Sequence, residues 1–169
     1  MTEKMKIYTY PDAILRAMAE PIEEIDEELQ KLIESMAETM YSAPGIGLAA
    51  NQVGVSKQII VYDLSPKGER SLSILMNPEI VQAEGEIVYE EACLSVIDYS
   101  AEVQRSARIK VKGVDQNGNP VDVEAEDLHA ICLQHEIDHL NGVLFIDHIS
   151  SLKRSLYKKK LKKMQRKDK

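Results

Sequence analysis

The chain has no apolar run approaching the ~18 residues of a membrane span, and its opening stretch, MTEKMKIYTYPD, lacks the apolar core of a secretory signal. Both absences predict a cytoplasmic protein. Cysteine is scarce too, with Cys93 and Cys132 the only two in 169 residues. So few cannot build a disulfide framework, and in a cytoplasmic setting they read as free thiols or ligands. Nothing repeats, no segment is low in complexity, and no linker divides the chain, a length that suits one domain with a sizeable core.

What is present is an uneven charge. Of the net −7, residues 153–169 contribute +9, ten Lys/Arg against one Asp, which leaves −16 on residues 1–152. An acidic body with a basic arm points to a partner. The two parts are read as a folded body, residues 1–152, and a basic C-terminal helix or tail, residues 153–169.

IDEELQKLIESMAETMYSAPG spaces Leu29, Leu32, Ile33, Met36 and Met40 for one helix face. Asp26 is placed to cap it, and Pro44-Gly45 stops it. QIIVYDL, SLSILMNPEIV and GEIVYEEACLSV are strand-like, and ARIKVKGVDQNGNPVDVEAED reads as a hairpin turning at Asn117-Gly118. A second helix is predicted from Asp127 to Asn141-Gly142. At about 100° per residue, Leu128, Ile131, Cys132, His135 and His139 share one side, and Leu133, Ile137 and Leu140 fall opposite. A helix apolar on two sides is buried. The predicted fold is α+β, with mostly antiparallel sheets packed around this helix.

The helix carries His135-Glu136-x-x-His139. Histidines at i and i+4 aim at one point, and Glu136 lies beside that point, where it can take a proton from a metal-bound water. A third ligand is needed. One protease pattern requires a histidine where Phe145 stands, and another requires a downstream glutamate, absent from residues 140–169. Cys132 is seven residues from His139, roughly 10 Å along the helix axis, too far to share an ion, and reads as a core residue. Cys93, at the end of a strand-like run, could complete an open His₂Cys site. Its other reading, the weaker of the two, is an inert buried thiol.

GIGLAANQVG (45–54), EACLS (91–95) and QHEIDHLNG (134–142) resemble, in order, the three motifs of the peptide deformylase family. The likeness extends over residues 5–152. It implies that Cys93, His135 and His139 hold one divalent metal ion, Fe²⁺ natively, with Ni²⁺, Co²⁺ or Zn²⁺ able to substitute. It also implies that Glu136 is the general base and acid, and that the Gln52 amide and the Leu94 backbone N–H bind the oxyanion. The activity implied is removal of the formyl group from N-formylmethionyl nascent peptides. Gly45 and Gly47 read as turn glycines, or as bare backbone along which a peptide can lie. Ile46 and Ile131 are candidates for the wall of a methionine pocket. Arg105 is placed near the substrate groove, with a plain surface arginine as the other reading.

Two positions depart from the family pattern, Ala92 for the usual glycine and Ile97 for a common proline. The rival reading is a catalytically silent module that binds nascent chains or the ribosome. It has no need of a general base. The basic arm, with Leu152, Leu156, Leu161 and Met164 as a thin apolar stripe, reads either as a solvated helix or as an anchor for ribosomal RNA. No membrane or DNA partner is expected.

Overall fold

The computed structural model describes residues 3–167. In chain order its elements are α1 (Glu27–Ser42), β1 (Gly47–Ala49), β2 (Ile59–Tyr62), β3 (Ser73–Glu84), β4 (Ile87–Cys93), β5 (Val96–Arg105), β6 (Arg108–Val114), β7 (Pro120–Glu126), α2 (Asp127–Leu140) and α3 (Ser151–Lys167). Strands β1-β2-β3-β6-β7 form one sheet, antiparallel at every pairing, while β4 and β5 pair separately. The class is α+β, as the sequence predicts.

All four residues of β2 are buried because both faces of the sheet are covered. Alternation sends Ile59 and Val61 into a cluster with Leu29, Ile33, Met36 and Met40 of α1. Ile60 and Tyr62 join Leu133, Ile137 and Leu140 of α2. Helix α1 starts where the Asp26 carboxylate accepts from Leu29 N at 2.8 Å, a cap typically worth ~1 kcal/mol. Helix α2 ends where Gly142 takes φ 74°. A Cβ there would lie 2.5 Å from the Arg16 carbonyl oxygen, so only glycine fits. Among the described residues no helix is long and apolar enough to cross a membrane.

GEIVYEEACLSV, expected as one run, reverses at Leu94-Ser95 and returns as β5, with Val96 paired to Cys93. The reversal contains none of the Gly, Pro or Asn residues that normally betray a turn, so the sequence conceals it. The arm also differs from expectation. Leu152 and Leu156 are 69% and 57% exposed, and the stripe facing the body is Tyr157, Leu161 and Met164. Tyr157 stacks 4.6 Å from Tyr99, and its hydroxyl donates to Ile97 O at 3.1 Å. Lys160 Nζ donates to Asp98 O at 2.9 Å. A tyrosine buries a large ring while its hydroxyl still finds an acceptor, which leucine cannot match.

Candidate active site

Alternation along β4 turns Glu91 and Cys93 to the same side, toward the face of α2 that carries His135 and His139. The ligating atoms of Cys93, His135 and His139 all lie within 4.8 Å of one another. Cys93 Sγ is 3.3 Å from His139 Nε2. Cys132 stands apart from this group. A thiol and two imidazoles are a borderline-soft donor set suited to a divalent transition metal.

The imidazoles are prepared for that role. His135 Nδ1 lies 2.8 Å from Glu91 Oε1. A carboxylate there fixes the proton on Nδ1 and makes Nε2 the nitrogen offered to the donor group. Burial pushes His135 down, but its bonds to Cys93 and Glu91 outweigh this and hold it well above its usual range, so a metal ion would bind at Nε2 in exchange for a proton. Burial drives His139 well below its usual range, with His135 and Arg105 adding to the effect. Its ring is therefore neutral and its lone pair available. These residues fit a metal ion.

Glu91 is the foremost residue that reading the motifs passes over. It is buried, and Arg105 grips it twice, Nε to Oε2 at 2.8 Å and Nη2 to Oε1 at 2.9 Å. Burial raises the Glu91 carboxyl, but the bonds from Arg105 and His135 win and hold it at about 2. The alternation that places Glu91 two residues before Cys93, on the same side, is a signal that could have found it. Arg105 itself fits neither expectation. It is not at the surface, its side chain being 5% exposed, and it does not line the cleft. A guanidinium is buried here because two carboxylates, Glu91 and Asp138, meet it.

In front of the metal-binding group lies a cleft of about 350 Å³. Gly45, Ile46, Gly47, Gln52, Ala92, Cys93, Leu94, Ile131, His135 and Glu136 line it, joined by Pro44, Tyr89, Glu91, Leu128 and Cys132. Ile131 is buried in the wall, and Ile46, Tyr89 and Leu128 form an exposed apolar rim. Cys132 is thus part of the cleft wall as well as of the core. Neither glycine has a positive φ, so a turn conformation does not require them, and the space beside each is narrow. A Cβ on Gly45 would lie 2.9 Å from Leu94 Cδ1, and one on Gly47 would lie 3.1 Å from both Cys132 Sγ and Glu136 Oε1. Ala92 is not among the residues with positive φ, so its methyl carries no backbone strain and acts only by narrowing the cleft.

Glu136 is buried, and its Oε2 has no partner. Burial, reinforced by Glu91, raises it to about 7, against the pull of His135 and Arg105. Gln52 is oriented by its neighbours. Its Oε1 accepts from Ala49 N at 3.0 Å, which turns Nε2 toward Ser95 Oγ at 3.1 Å and Cys93 Sγ at 3.7 Å. Leu94 occupies the reversal between β4 and β5, next to Cys93.

The family model for polypeptide deformylase matches residues 4–155. A peptide deformylase of Thermodesulfovibrio yellowstonii is 54% identical over 159 residues, covering 94% of this chain and 96% of its own. One from Mesorhizobium japonicum is 54% identical over 156 residues, with 91% and 89% covered. Among solved structures, a peptide deformylase from Legionella pneumophila superposes with a TM-score of 0.92 at 45% identity, covering 98% of this chain and 97% of its own. The Ehrlichia chaffeensis peptide deformylase in complex with actinonin gives 0.91 at 39% identity, with 97% and 99% covered.

Proposed function

This chain belongs to the polypeptide deformylase family, and from that premise we infer which of its residues carry out the removal of the N-formyl group from N-formylmethionine at the start of newly made proteins. Cys93, His135 and His139 hold a divalent metal, with Fe²⁺ the native ion and Ni²⁺, Co²⁺ or Zn²⁺ able to replace it. The observation that carries the reading is the convergence of these three donors at the wall of an apolar cleft. When bound, the ion supplies positive charge that polarises the formyl carbonyl and acidifies water.

The protein's own groups do the rest. Methionine enters the cleft between Ile46 and Ile131, and the bare backbone at Gly45 and Gly47 lets the peptide lie close beside it. Gln52 Nε2 and the Leu94 N–H face the formyl oxygen and take up its developing charge. Glu136 accepts a proton from the attacking water and returns it to the departing amine, and formate leaves. A carboxyl raised by burial to about 7 is matched to both halves of that task near neutral pH. Glu91 anchors the Nδ1–H of His135, so that Nε2 is the nitrogen that a metal ion would take. A silent binding module would need neither Glu136 nor an oriented Gln52.

The decisive assay measures formate release from a formyl-Met peptide by protein loaded anaerobically with Fe²⁺ or Ni²⁺. No turnover by the loaded protein would overturn the reading. Cys93→Ser should sharply reduce bound metal, because a hydroxyl is a far poorer ligand than a thiolate. Unchanged metal content would remove Cys93 from the ligand set.

Residues 1–152 are the catalytic domain, acting in the cytoplasm, and residues 153–169 are a basic arm that docks on ribosomal RNA. What supports the docking is the lysine-rich outer face of α3, exposed together with Leu152 and Leu156. Removing the arm would also strip Tyr157 and Leu161 from the core, so charge reversal is the cleaner test. Lys159→Glu with Lys162→Glu and Lys163→Glu should abolish salt-sensitive co-sedimentation with ribosomes and leave turnover of a short peptide unchanged. Undiminished co-sedimentation would sink the docking role.

A further inference from the structure

The line of bonds behind His135 does not stop at Arg105. Glu91 occupies the Nε–Nη2 edge of the guanidinium, which leaves Nη1. Nη1 donates to Asp138 Oδ2 at 2.5 Å, and the same oxygen lies 2.9 Å from His148 Nε2. A carboxylate paired with arginine only accepts, so His148 Nε2 carries a proton and donates it. The 3.4 Å approach of Arg105 Nη1 to His148 Nε2 then sets two donors face to face. It is no hydrogen bond, but the mark of two donors sharing one acceptor.

Four elements contribute to the line. Glu91 comes from β4, Arg105 from the end of β5, and His135 and Asp138 from α2. His148 closes the 3-10 turn Phe145–His148. Exposure rises outward along the side chains, at 3% for Glu91, 5% for Arg105, 25% for Asp138 and 38% for His148. The inner end touches the nitrogen of His135 that faces away from Cys93 and His139, and the outer end lies in a separate hollow that also holds Gln104 and Gln134. Stability alone does not call for this arrangement, since apolar residues of similar volume usually serve as well as buried ion pairs. A guanidinium clasped at one edge still pivots about that edge. Clasped at Nη1 as well, it is fixed in its plane, and Glu91 is fixed with it.

We propose that Asp138 and His148 are positioning residues for His135: they clamp the outer edge of Arg105, and through Arg105 and Glu91 they set the angle at which His135 presents Nε2 to the metal. The proposal rests on the reading of His135 as a ligand. Neither residue lines the cleft, so their effect falls on the metal and not on substrate binding.

Co²⁺ affinity and the visible spectrum of the Co²⁺-loaded full chain test this, compared among wild type, His148→Ala, His148→Gln and Asp138→Asn. His148→Ala should weaken Co²⁺ binding by about tenfold, at the low end for residues supporting a ligand, and shift the ligand-field bands. His148→Gln, whose amide N–H can reach Asp138, should restore affinity and bands, and KM for a formyl-Met peptide should be unchanged in all variants. Asp138→Asn should match or exceed the His148→Ala effect. Wild-type affinity and bands in His148→Ala would overturn the proposal, as would a His148→Gln variant no better than His148→Ala. A wild-type spectrum without a thiolate-to-cobalt band sensitive to Cys93→Ser would instead show that the ligand assignment itself had failed.

Discussion

Two buried carboxylates of the cleft wall flank His135, Glu91 at its Nδ1 and Glu136 next to it in the chain, and the protein drives them in opposite directions. Both are less than 5% exposed. Glu91 is met by the guanidinium of Arg105 and by His135, and is held at about 2. Glu136 has an oxygen with no partner and is raised to about 7. Burial acts on both alike, so hydrogen bonding decides the outcome. The satisfied carboxyl keeps a fixed charge, and the unsatisfied one is left to exchange a proton near neutral pH. A pair driven apart in this way suits the proposed division, one carboxylate to orient and one to react.

The sharpest way to break the comparison is to remove the reacting member. Glu136→Ala should lower turnover by about 10²–10⁴-fold while metal content stays near that of wild type. Near-normal turnover with stoichiometric metal would strip Glu136 of its role.

The second test uses pH after the metal is removed with a chelator. The folded value of Glu136 is raised from 4.5 to about 7, so its contribution to stability is fully present below 4.5 and lost as pH rises through 7. Glu91, lowered from 4.5 to about 2, contributes above 4.5, and its share is lost as pH falls through 2. Denaturation midpoints of chelated Glu136→Gln, set against chelated wild type, should lack a decline between pH 4.5 and 7 on the order of 3 kcal/mol, at 1.36 kcal/mol per pKa unit. Parallel profiles for the two proteins would show that Glu136 is not raised.

Glu91→Gln should then cost about 10–100-fold in metal affinity, the usual penalty for losing the partner of a ligating histidine, measured by competition with a chromophoric chelator. The expected signature is a loss concentrated in metal binding, with kcat of the fully loaded protein falling much less than in Glu136→Ala. The smallest effect is expected at Cys132, which shares the cleft wall but not the ligand set. Cys132→Ser should leave metal content unchanged and cost about 1–3 kcal/mol of stability through a buried hydroxyl in need of a partner. Loss of metal in this variant would reopen the ligand assignment.

Much of the site is legible in the sequence because it is local. The i, i+4 histidines with Glu136 follow from one helix, and both helix stops, Pro44-Gly45 and Asn141-Gly142, are written in residue types. Strand alternation also makes Glu91 readable beside Cys93. What the sequence hides is set by register. Arg105, Asp138 and His148 stand 33 and 10 positions apart along their bonds, and no local period brings them together. The hairpin β4–β5 stayed hidden because its reversal uses leucine and serine. On α3 the pattern showed a leucine stripe, while the body selected Tyr157, whose ring and hydroxyl both find partners in β5.

That docking of α3 sets an order in time. Tyr157 and Lys160 are fastened to carbonyls 60 and 62 positions earlier, on the strand that leaves the Cys93 reversal. The cluster of Tyr10, Tyr99, Phe145 and Tyr157, which reaches His135 through Phe145 at 6.1 Å, cannot close until those late residues have been synthesised. The large sheet and the ligand helix are complete in the chain by Leu140, before any of α3 has been made. The floor beneath the ligands waits for α3. An enzyme that acts on newly made proteins thus needs its own synthesis to pass Leu161 before its working centre is fully backed.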